Sequence, residues 1–166
     1  MNFLFSIFDR QKPFTETGEL SLALPALPRP TLEEIQERDP SIDSIKRDTS
    51  PEHPVTLVLV TLLRPKELLV VNPEYNRRLA RLRSSLLGYQ HLRWLLEHQA
   101  ELPSLVALLG KVHIDFPGII VVHKSCSQVA PSCLPSTRGY WYGDLSLGSG
   151  FPGGRVAVAR ALQSKQ

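Results

Sequence analysis

The chain has 166 residues, 42% of them hydrophobic and 21% charged, ordinary globular usage that excludes wholesale disorder. The formal charge of +3 hides an asymmetry: residues 1–52 hold 6 Lys/Arg against 10 Asp/Glu, and residues 53–166 hold 13 against 6. A basic body behind an acidic leader points to an anionic partner, nucleic acid first, or to a leader that neutralises its own body.

The chain opens on an apolar patch, Phe3, Leu4, Phe5, Ile7 and Phe8. No basic region precedes it, and it stops at Asp9 and Arg10, too soon for a secretory core. Its expected place is on the chain's own body, with docking on a partner or fraying as alternatives. Residues 9–54 carry Pro13, Pro25, Pro28, Pro30, Pro40, Pro51 and Pro54, between which regular structure cannot run far. One short helix is predicted at Leu32 to Arg38, with Thr31 as N-cap and Glu34 in capping-box position. The expected division is an apolar patch plus proline-rich acidic arm over 1–52 and a single α+β domain over 53–166.

Val55 to Leu63 is apolar on both faces, as a central strand is, and far short of the ~20 residues of a membrane span. Arg64-Pro65-Lys66-Glu67 turns the chain into a second strand at Leu68 to Val71, giving a hairpin. Asn72-Pro73-Glu74 then signals a helix start: a capping side chain, a proline where no N–H is needed, and a carboxylate at the positive end of the dipole. Tyr75, Leu79, Leu82, Leu86 and Tyr89 follow at steps of 4, 3, 4 and 3, one apolar helix face. After Gly88 the stripe moves round to Leu92, Leu95 and Leu96. A bend at Gly88 or a second buried face would do this; an unbroken helix to Glu101 would run about 43 Å at 1.5 Å per residue, so a bend or a break is expected, one long helix bent at Gly88 first. Pro103 ends it and opens a short second helix, closed by Gly110.

Val112 to Phe116 alternates as a strand, Phe116-Pro117-Gly118 turns, and Ile119 to Val122 returns. Tyr140 to Leu147 and Arg155 to Ala161 form a final hairpin across the glycine-rich 148–154. The expected fold is α+β: a mainly antiparallel sheet of several hairpins packed against one long, bent helix and a short second helix.

Arg77, Arg78, Arg81 and Arg83 give the central helix a basic face. Guanidinium donates two parallel hydrogen bonds to phosphate oxygens, and few acids interleave here, so the row is the first candidate nucleic-acid contact. The bland alternative is a solvated face that keeps the helix soluble. Arg155, near Tyr140, Trp141 and Tyr142, is a further candidate, because strand aromatics beside arginine can stack bases.

His113, Asp115 and His123 would converge if their strands formed a hairpin, making a weak metal set. His123, Cys126 and Cys133 lack the tight paired spacing of thiolate zinc sites. Two cysteines are also too few for a disulfide scaffold, so reduced thiols and a cytoplasmic setting are expected. Asp115 and Lys124 lack the second carboxylate of a metal-dependent nuclease. The 148–154 loop lacks the Lys-Ser/Thr of a phosphate loop and leads into a strand. No catalytic residue and no cofactor is assigned. The expected function is a small non-catalytic protein that binds nucleic acid through a basic helix. The alternatives are an adaptor or homo-oligomeric module docking through the apolar N-terminal patch, and then a metal-dependent hydrolase.

Overall fold

In a computed structural model of the chain the described residues are 20–62, 72–108, 112–125, 127–135, 141–144 and 156–162. β1 (Ser21–Leu24), α1 (Leu32–Gln36), β2 (Ile42–Asp48) and β3 (Val55–Val60) precede α2 (Asn72–Leu82), α3 (Tyr89–His98) and α4 (Pro103–Val106). Then come β4 (His113–Asp115), β5 (Ile119–His123), β6 (Gln128–Val129), β7 (Ser132–Pro135), β8 (Trp141–Asp144) and β9 (Val156–Ala161). A six-stranded sheet has the order β1-β3-β9-β4-β7-β8, and a three-stranded sheet the order β2-β5-β6. Every described pairing is antiparallel except β4 with β9. Mixed helix and sheet content and dominant antiparallel pairing agree with the α+β expectation. No helix among the described residues is long and apolar enough to cross a membrane.

The segment read as an arm contributes strands to both sheets. β1 pairs with β3, and β2 pairs with β5. The prolines fall between these elements: Pro25, Pro28 and Pro30 before α1, Pro40 before β2, Pro51 and Pro54 before β3. They punctuate the structure without abolishing it. The capping box of α1 forms as its residues require, with Glu34 N donating to Thr31 Oγ1 at 3.2 Å and Thr31 N to Glu34 Oε2 at 2.8 Å.

The centre of the large sheet, at β3 and β9, is buried on both faces. Leu57 and Leu59 of β3 and Ala159 of β9 enter the main core, together with Ile42, Ile119 and Val121 of the small sheet and Leu92 and Leu95 of α3. The alternate residues Val60 and Val158 enter a second cluster with Tyr75 and Leu79 of α2. Successive strand residues point to opposite faces, so α2 covers one face of the sheet and the main core lies on the other.

That division overturns the expectation of one long helix. α2 stops at Leu82, a 3₁₀ turn covers Arg83–Ser85, and α3 starts afresh at Tyr89. Between them Leu86 is extended (φ −68°, ψ 136°), bridges Arg160 of β9, and is followed by Leu87 N donating to Ala159 O at 3.1 Å. The physical reason is burial on two sides: Leu86 belongs to the second cluster and Leu87 to the main core. Adjacent residues face opposite ways only in extended backbone.

Two expected hairpins are also replaced. β4 lies in the large sheet and β5 in the small one, because Phe116-Pro117-Gly118 carries the chain between sheets. β8 pairs with β7, and β9 inserts between β3 and β4 instead of returning along β8. Leu68 to Val71, Gly110 and the 148–154 loop lie outside the described residues, as do Met1 to Phe8 and Cys126.

Candidate functional site

The four arginines of the basic face do not behave as one row. Arg77 and Arg78 stand three and four residues after Glu74, the helical spacings at which opposite charges meet, and both pair with its carboxylate. Arg78 is only 9% exposed; its Nε lies 2.8 Å from Glu74 Oε1 and its Nη1 donates to the carbonyl of Leu62. Its role is to tie α2 to the end of β3. Arg81 is exposed in the last turn of α2, and Arg83 is exposed in the 3₁₀ turn that follows. Arg155 lies outside the described residues, as does Tyr140, and only the backbone of Trp141 and Tyr142 is described.

Arg83 instead joins residues of β2. A groove of about 440 Å³ runs between α2 and the small sheet, with Lys46, Arg47 and Arg83 among its lining cations. β2 presents them because its pairing with β5 is irregular: Ser44 faces Val122, Ile45 faces Val121, and Arg47 faces Ile120, so the register shifts between Ile42 and Ser44 and again between Ile45 and Arg47. Such bulges re-aim side chains. Lys46 Nζ donates to Gln128 Oε1 at 2.8 Å. Arg47 Nε is buried without a hydrogen-bond partner. Burial, and then repulsion from the Arg83 guanidinium, lower the Arg47 pKa. Among the described residues, ion pairs within 4.0 Å form at Arg29, Arg77, Arg78 and Arg93, and none forms at Arg47 or Arg83.

The deeper lining is apolar and neutral, with one charge. Leu79 (8% exposed), Val129 (3%) and Ala130 (5%) are buried there, beside Asp115 (4%). Asp115 Oδ2 accepts from the Tyr75 hydroxyl at 2.8 Å. Burial first, then the Asp115 charge and this hydrogen bond, hold the Tyr75 hydroxyl protonated far above its ordinary range. Asn76 and Gln128 add exposed amides to the lining.

The candidate metal set is not assembled. His113 and Asp115 sit on β4 in the large sheet, whereas His123 sits on β5 in the small sheet, its Nδ1 2.9 Å from Ser125 Oγ. No group of three or more His, Cys, Asp or Glu able to hold a metal occurs among the described residues. Asp115 lines the groove. Lys46 and Arg47 are the functional candidates that sequence reasoning missed; their signal was a Lys-Arg pair inside an otherwise acidic arm. Comparison with protein families, with curated proteins and with solved structures finds no match for the chain.

Proposed function

We propose that this protein binds nucleic acid, holding the phosphate backbone at Lys46, Arg47 and Arg83. The observation that carries the reading is the meeting of Arg47 and Arg83 in one groove with no carboxylate in ion-pair range among the described residues. Two guanidiniums that repel each other, one with a desolvated Nε lacking an acceptor, gain most from an anion bearing several oxygens. Arg77 and Arg78 drop out as primary contacts because both already engage the Glu74 carboxylate, which offsets one of their two charges. Arg81 remains an outlying one.

The test is fluorescence anisotropy of a labelled oligonucleotide across a salt series. Affinity falls steeply with salt when phosphates are neutralised by cations. Arg47→Gln and Arg83→Gln each weaken binding and lower the salt slope by about 1, whereas Arg77→Gln leaves it nearly unchanged. Undiminished binding by the Arg47→Gln/Arg83→Gln double variant overturns the assignment.

A further inference from the structure

We infer that the groove seats one unstacked nucleobase, so that the protein takes single-stranded in preference to duplex nucleic acid. This rests on the nucleic-acid reading above and divides the groove between phosphate and base. Depth separates its chemistry. Lys46 and Arg83 are exposed and mark the mouth, with Arg47 half-buried beside them, whereas Leu79, Val129 and Asp115 are buried and mark the floor.

A phosphate is held at the mouth by the cations, and the buried Leu79, Val129 and Ala130 offer it no donor deeper in. A neutral base is not excluded in this way. Its faces find apolar walls, as flipped bases do in pockets of aliphatic and aromatic side chains, and its amino groups find the Asn76 amide oxygen as an acceptor at the rim. The cavity of about 440 Å³ falls within the roughly 300–1,000 Å³ typical of small-ligand sites. In a duplex every base is stacked and paired, and one must be flipped out before it enters. Duplex therefore meets only the mouth.

The test uses the full chain and three labelled ligands: an oligonucleotide strand, its duplex, and the same strand with abasic sites. The strand is expected to bind about tenfold more tightly than the duplex, and the abasic strand to lose most of that margin. Ala80→Trp fills the groove from an exposed position on α2; it should bring the strand down to the level of the duplex with circular dichroism unchanged. Equal affinity for strand, duplex and abasic strand overturns the base seat while leaving the nucleic-acid reading standing. Binding to none of them overturns both. A nucleoside monophosphate that competes as well as the strand reassigns the groove to free nucleotides and overturns the strand assignment.

Discussion

The hydroxyl of Tyr75, on the buried stripe of α2, donates to the carboxylate of Asp115, the last residue of β4, across 2.8 Å. Tyr75 is 6% exposed and Asp115 4%, so neither group has ready access to water as a substitute partner. Tyr75→Phe keeps the ring in its cluster and removes the donor. Leaving a buried charged acceptor short of one bond costs about 2 kcal/mol. The midpoint of urea unfolding should fall accordingly with its slope unchanged; an unaltered midpoint would show that the bond contributes nothing.

Arg78 and Arg81 are neighbours on one helix with opposite expected roles. Arg78→Gln breaks the pairing with Glu74 and the bond to the Leu62 carbonyl, and should destabilise the fold by about 2 kcal/mol, the range for hydrogen bonds to charged groups. Arg81→Gln, at an exposed position, should stay within about 0.5 kcal/mol of the parent. Thermal denaturation of the two variants decides the matter, and the reverse ranking would refute the division of labour.

Acid should weaken the protein through His91. The ring is fully buried, its Nδ1 accepts from Gly88 N at 3.1 Å, and its Nε2 has no hydrogen-bond partner. Burial, with nearby His53 adding to it, lowers its pKa from 6.5 to about 4. Since the unfolded chain takes up the proton first, stability is whole above pH 6.5 and is lost as pH falls from there through 4. The loss is on the order of 3 kcal/mol at 1.36 kcal/mol per unit. In His91→Gln the amide can still accept from Gly88 N, as Gln does at this position of a capping box, and the decline between pH 6.5 and 4 should flatten. A decline of the same size in the variant would place its origin elsewhere.

Gly118 is expected to tolerate no side chain. A Cβ there would lie 2.6 Å from the backbone carbonyl oxygens of Leu86 and Leu87, and backbone held in a sheet bridge cannot retreat as a side-chain tip can. Gly118→Ala should destabilise by about 3 kcal/mol, the upper part of the usual overpacking range. Equilibrium unfolding that shows no change would mean that the two segments separate freely.

Local signals were legible where the chemistry is local. The Thr31/Glu34 capping box and the Asn72-Pro73-Glu74 start both mark helices in the structure. All five residues of the stripe from Tyr75 to Tyr89 are buried or partly buried. Its periodicity survived across a segment that is not helical, because Leu86 faces the second cluster while Leu87 faces the main core. That is a tertiary demand, invisible to a count of steps. β2 was missed for a related reason: its two irregularities break the alternation that announces a strand, and the same irregularities deliver Lys46 and Arg47 to the groove. The pairing of β9 with β3 joins segments about a hundred residues apart (Leu57 with Ala161, Val60 with Val158), and no turn chemistry encodes it. Arg77 and Arg78 were legible as cations, but their shared use of Glu74 depends on side-chain geometry.

The two walls of the groove are fastened to one another behind it. Thr49 Oγ1, one residue past β2, donates at 3.3 Å to the carbonyl of Arg83, and Thr49 N donates at 2.8 Å to Gly118 O; Gly118 N in turn donates at 2.8 Å to Leu87 O. These bonds brace the backbone carrying Arg47 against the backbone carrying Arg83. A ligand arriving between them has little chain to order, and such preorganisation raises affinity by sparing conformational entropy. Removing the hydroxyl's tie to the Arg83 carbonyl with Thr49→Val should leave every cation and both backbone bonds in place and still weaken the complex, because the ligand would then have to gather walls that the hydroxyl had helped to hold together.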